Sequence, residues 1–189
     1  MNLFKTLFHV TLIVSILSIP QLRATPRRFS SSIPRLNHAQ ELLGKHYPRS
    51  VVRIGERVQQ MEGYVLYWTY HALPQQHRHL YKTISRVILE ESEKYGFDPI
   101  LVMSVIKAES SFDPRKVGGV VEVGLMQIRP STGSWMAEKM GLSFRGKSHL
   151  QNPVTNIKIG TAYLKFLQEM FQSHARLYLA AYNMGQGNV

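Results

Sequence analysis

The sequence contains no cysteine, only two tryptophans, and 12 acidic residues against 23 basic ones. Without cysteine there is no disulfide framework, no thiolate zinc site, no cysteine nucleophile and no lipidated cysteine anchor. Long apolar runs are also missing. The longest, Thr6 to Pro20, is interrupted by His9, Thr11, Ser15 and Ser18 and falls short of the ~20 residues that a membrane span needs. What remains is ordinary globular material: 189 residues, 44% hydrophobic and 10% aromatic, enough for one domain with additional segments. The shortage of acids leaves a formal net charge of +11. Such a balance favours an acidic partner, whether nucleic acid, an anionic membrane or an acidic polymer. The charges are scattered along the chain and form no basic stripe with interleaved aromatics, which argues against a nucleic-acid reader.

The chain divides into three parts. Residues 1–24 read as a signal peptide, with Lys5 in a short positive start, the apolar run after it, and Ala24 as a small residue for cleavage. The alternative is an inner-membrane anchor through residues 6–20, facing the periplasm. Either reading sends the protein out of the cytoplasm. Residues 25–80 read as a basic linker, Thr25 to Pro34, followed by accessory helices. In that part a short helix ends near Tyr47-Pro48, and apolar stripes run through Val51, Val52, Ile54, Val58 and Met61 and then Val65, Leu66 and Trp68.

Residues 81–189 carry the clearest pattern. Ile84, Val87, Ile88 and Tyr95 mark a helix closed by Gly96. Asp98-Pro99 is an N-cap followed by proline, opening a helix from Pro99 to Ser110; Asn152-Pro153 repeats the device for a helix through Ile157, Gly160, Leu164, Leu167 and Phe171. Only 117–123, with its paired glycines, predicts a small β-hairpin. The fold class expected is therefore all-α.

One acid stands out. Val102, Val105, Ile106 and Glu109 fall at i, i+3, i+4 and i+7, which places Glu109 on the apolar face or its rim. A carboxylate there is desolvated, and its pKa rises toward the value that a general acid needs. The plainer role is an acid that caps the helix end or pairs with Lys107 or Arg115. Asp113, before Pro114, reads as a turn residue. Glu122, beside the hairpin glycines, is either a solvated charge or a second carboxylate. His71, His77 and His79 match no ligand spacing, so no metal and no cofactor is expected. Trp68 and Tyr70 read as packing aromatics before they read as a sugar platform.

Three blocks then occur in order: Glu109-Ser110-Ser111-Phe112-Asp113-Pro114, Gly124-Leu125-Met126-Gln127-Ile128-Arg129-Pro130 and Ala181-Tyr182-Asn183-Met184-Gly185. The trio resembles the catalytic domain of the soluble lytic murein transglycosylases, over about Tyr81 to Val189. The resemblance implies a goose-type-lysozyme-like helical fold. It also implies cleavage of the MurNAc–GlcNAc β-1,4 bond of peptidoglycan without water, leaving a 1,6-anhydro end. Position by position, it makes Glu109 the single acid/base, puts Met126 and Gln127 along the sugar subsites, and makes Tyr182 and Asn183 the pair that closes the cleft. The apolar members have a plainer place: Leu125 and Ile128 read as core, and the core is the alternative for Met126 too. The partner implied is the glycan strand, with cell-wall or secretion machinery as a further one.

The chain departs from the family's usual pattern in two places. Gly118 stands where many members have serine, and Val121-Glu122 where they have Gly-Ala. The chain also stops at Val189, before a further helix that the family usually carries. Two other functions stay open at this point: a lysozyme-like hydrolase with Glu122 as base for water, and a non-catalytic peptidoglycan-binding or secretion-associated scaffold.

Overall fold

The computed structural model describes residues 39–50 and 58–185. The signal-like segment, the basic linker, the apolar stripe at 51–57 and the last four residues lie outside them. The described chain is helical: a short segment at 39–43 running into a 3-10 turn (Gly44–Arg49), α1 (Val58–Ala72), a 3-10 turn (Gln75–Leu80), α2 (Tyr81–Tyr95), α3 (Pro99–Ser110), α4 (Pro130–Lys139), α5 (Lys147–Leu150), α6 (Pro153–Met170) and α7 (Ala175–Met184).

The helix boundaries follow from the residues that set them. Gly96 ends α2 in the left-handed conformation at φ 71°, which costs a residue without Cβ nothing. Asp98 caps α3, its Oδ1 accepting from Ile100 N at 2.8 Å. Asn152 caps α6, accepting from Val154 N at 3.0 Å and Thr155 N at 3.1 Å. Proline follows each cap at the first helical position, where its missing N–H costs no bond.

The long helix α6 lies at the centre, packed on α2, α4, α5 and α7, while α2 also holds α1 and α3. Their shared core contains Ile84 and Ile88 of α2, Val102 and Ile106 of α3, and Ile157, Leu164 and Leu167 of α6. The segment at 39–43 is tied to the far end of the sequence. Glu41 Oε1 accepts from Ala175 N at 2.8 Å, capping α7, whose own N-cap residue, His174, makes no side-chain cap bond. Trp68 packs against the core. Tyr70 is 39% exposed and meets Tyr81 edge-on at 5.2 Å.

The expected hairpin takes a looser form. Isolated antiparallel bridges join Val117 to Val123 and Val123 to Ile128, and no strand forms among the described residues. The cause is local. Val121, Gly124 and Gln127 have φ of 68°, 79° and 46°, and left-handed residues at such short spacing interrupt any extended run.

Candidate active site

Glu109 sits in the last turn of α3, half-buried. Burial pushes its carboxyl above the ordinary range; Lys116 pulls it back and Glu122 raises it further. Lys116 reaches the helix end, but its Nζ donates to the Glu109 backbone carbonyl. Among the described residues no hydrogen bond or ion pair holds the Glu109 carboxylate, so the pairing with Lys107 or Arg115 does not occur. Asp113 is the turn residue expected, its Oδ1 accepting from Arg115 N at 2.9 Å.

The Gly124–Arg129 block is locked against this helix end by buried polar groups. Ser110, next to the acid, donates to Leu125 O at 2.8 Å and to Ile106 O at 3.1 Å. Asn156 of α6, wholly buried, accepts from Met126 N at 2.8 Å and donates to Val123 O at 2.8 Å and Leu150 O at 2.9 Å. Gly124 is required here. A Cβ would lie 2.5 Å from Asn156 Nδ2 and 2.7 Å from Leu150 O, on a backbone already at φ 79°.

Of the two places open to Met126, the subsite that the resemblance implies and the core, its side chain takes the core. Its side chain is fully buried, and a Cβ on Gly160 would come within 2.5 Å of its Sδ. No side-chain surface is left for a sugar. Its contribution is the backbone carbonyl, which accepts from the Tyr182 hydroxyl at 2.9 Å. Tyr182 thus spends its proton on Met126 and not on Glu109. Burial, then the nearby Glu109 and Tyr163, hold its phenol well above its ordinary value, so it stays neutral.

Gln127 turns at φ 46°, and its Nε2 donates to Gly124 O at 2.8 Å and Lys116 O at 3.1 Å. Both N–H groups are therefore spent on the loop, and the carbonyl oxygen is what the amide can offer a ligand. Asn183 is exposed near the C-terminal end of α7, one residue from Tyr182.

Glu122 is ionised and engaged. Burial alone would raise its pKa, but bonds from backbone N–H groups and from Arg129 prevail and hold the carboxyl below the ordinary range. Arg129 Nε lies 3.1 Å from Oε1 and Val120 N 3.0 Å from Oε2. His71 rests against the rings of Tyr67 and Tyr70, at 4.4 and 5.2 Å.

Asn156 and Tyr163 are the site residues that sequence reasoning missed. Tyr163 stacks on Phe166 and lies 5.5 Å from the Tyr182 ring. The signal for Asn156 was present: an amide one residue before Ile157 in a stretch otherwise read as an apolar stripe. For Tyr163, half-buried between aromatics, the sequence offered nothing specific.

The helices define an all-α, lysozyme-like domain, and Glu109 stands in it as a half-buried carboxyl of raised proton affinity. Its family is also clear: the sequence model of the transglycosylase SLT domain matches residues 86–189, and the chain belongs to that family. Membrane-bound lytic murein transglycosylase C of Yersinia enterocolitica is 36% identical over 112 residues, covering 54% of this chain and 31% of the relative. Soluble lytic murein transglycosylase of Salmonella typhimurium is 36% identical over 88 residues, covering 46% of this chain and 14% of the relative. The chain therefore spans less than a third of these curated relatives. Among solved structures, an inactive mutant of lytic transglycosylase Slt from Pseudomonas aeruginosa superimposes with a TM-score of 0.52 at 22% identity, over 86% of this chain and 31% of that one. The 70 kDa soluble lytic transglycosylase of Escherichia coli gives 0.50 at 26% identity, over 70% and 23%.

Proposed function

We propose that the protein is a peptidoglycan lytic transglycosylase, with Glu109 as its single acid and base. The observation that supports this most is the half-buried Glu109 carboxyl, raised by burial and free of hydrogen bonds among the described residues. A carboxylic acid in that state keeps its proton at mildly acidic pH and has no competing partner for it. Protonated Glu109 donates to the glycosidic oxygen as the C1–O bond breaks. The substrate's own N-acetyl oxygen stabilises the positive anomeric carbon, a recognised exception to the two-carboxylate arrangement. Ionised Glu109 then takes the proton of the MurNAc C6 hydroxyl, whose oxygen closes the bond to C1. The acid ends protonated and no water is consumed. Intramolecular attack suits this site because a tethered nucleophile avoids the entropy of capturing a water molecule.

Gln127, with its carbonyl oxygen as acceptor, suits an acetamido N–H. Tyr182 and Asn183, on α7, take in this reading the role of the pair that closes the cleft. The positive net charge aids encounter with an acidic polymer. An exported location, through cleavage after residue 24 or an anchor at 6–20, is part of the same proposal. Among the described residues no helix is long and apolar enough to cross a membrane.

Glu122 fits the role of water-activating base poorly. Both its oxygens carry bonds and its carboxyl is held low, and a weakly basic group accepts protons reluctantly. Two variants test the assignment. Glu109→Gln is expected to lose cleavage by about 10²–10⁴-fold while still binding glycan. Glu122→Gln is expected to retain most of its turnover. Equal and complete loss in both, with a reducing end on the parent's product, would establish a hydrolase instead.

A further inference from the structure

The loop between α3 and α4 has features that the chemistry of Glu109 does not use. Val117, Val120 and Val121 are 47%, 62% and 52% exposed. Val121 also has φ 68°, a costly backbone conformation for a β-branched residue and one that tends to persist where it serves a function. Beside these valines stands Arg129, its side chain 55% exposed.

Glu122 makes one unit of the tip and the cation. One of its oxygens holds Arg129 Nε at 3.1 Å and the other holds Val120 N at 3.0 Å. Gly118 leaves the room for this: a Cβ there would lie 2.5 Å from Glu122 Oε2 and 2.9 Å from Gln127 Oε1. Because the ion pair runs through Nε, the terminal nitrogens of the guanidinium remain for a second carboxylate. The same loop adjoins Glu109: Lys116 Nζ donates to the Glu109 carbonyl, and Gln127 bonds to Lys116 O and Gly124 O within the loop.

We propose that this lip, Val120 and Val121 with Arg129, receives the peptide branch of the glycan strand: small apolar side chains against the valines and a free carboxylate on Arg129. The proposal deepens the glycan-cleaving reading above and rests on it. An acidic peptide with small apolar side chains presents both chemistries together. A sugar ring offers the valines its C–H face or an acetamido methyl, but those groups carry no carboxylate beside them for Arg129.

The test measures binding by co-sedimentation with intact sacculi and with sacculi stripped of peptides by an amidase. All proteins carry Glu109→Gln, so that the polymer stays whole. Val121→Gly removes the side chain together with its backbone strain, so its melting temperature should match or exceed the parent's. Its affinity for intact sacculi should nevertheless fall by about tenfold, with less than about a twofold change on stripped sacculi. Arg129→Gln should lower the ratio of intact to stripped binding by a similar factor. Equal losses on both polymers, or no loss in Val121→Gly, would overturn the proposal. An Arg129→Gln loss on both polymers with the valine variant unaffected would also overturn it, because it would place the sugar's own lactyl carboxylate on the arginine. Anhydro product from the Glu109 parent is scored separately. Its absence alongside peptide-dependent binding would sink the activity and leave the lip standing.

Discussion

Glu109 is where stability and function pull against each other. Burial raises its proton affinity in the folded chain, so the fold favours the neutral acid. That contribution is complete below the ordinary carboxyl range of the unfolded chain and is lost as pH rises through the raised value. Glu109→Gln never ionises. It should therefore melt roughly 2–5 °C above the parent at neutral pH, with the gap closing as pH falls toward about 4. A scan of melting temperature against pH for both proteins checks this, and a gap that widens in acid would show that Glu109 is stabilised as its anion. The same titration should govern turnover. In the proposed mechanism cleavage needs the proton in place, so the rate should decline as pH rises through the raised value.

At the scale of elements, the site depends on three segments meeting: the end of α3, the Gly124–Arg129 block and α7. Asn156 of α6 holds the middle one with three bonds. Asn156→Ala would take the partners from Met126 N and from Leu150 O in a buried place and leave Val123 O only Ile128 N, so we expect a loss of about 3 kcal/mol in a urea melt. A loss near zero would mean that water replaces the amide. The helices themselves were legible, because caps such as Asp98-Pro99 and Asn152-Pro153 and stripes such as Ile84, Val87 and Ile88 are local signals. The 117–123 segment was legible only in outline. Its glycines announced a reversal, but Val121 and Gln127 stand in left-handed conformations that their residue types rarely adopt, so nothing in the local pattern reported them. Met126 shows the same limit. Its neighbours left both the cleft and the core open to it, and Gly160, 34 positions onward, is what gives its side chain a buried seat.

At the scale of the molecule, the domain is closed by a residue outside the region matched to its family. Glu41 caps α7 across 134 positions of sequence, and α7 carries Tyr182, whose hydroxyl grips Met126 O. Glu41→Ala should cost about 1 kcal/mol, read by thermal or urea unfolding, with faster amide exchange in the first turn of α7. Unchanged exchange at Ala175 would show that the cap does not persist in solution. No local pattern signals this bond. Glu41 lies in an accessory segment with no chemical pattern, and its partner is a backbone N–H, which any residue other than proline supplies.

The central claim is that one acid, Glu109, cleaves a glycan without water. Mass analysis of sacculi digested by the full chain tests it directly, since an anhydro end and a reducing end differ by one water. We expect muropeptides ending in 1,6-anhydroMurNAc, absent when Glu109 is replaced by glutamine. Products heavier by one water, or anhydro ends that persist in the Glu109→Gln digest, would contradict the account.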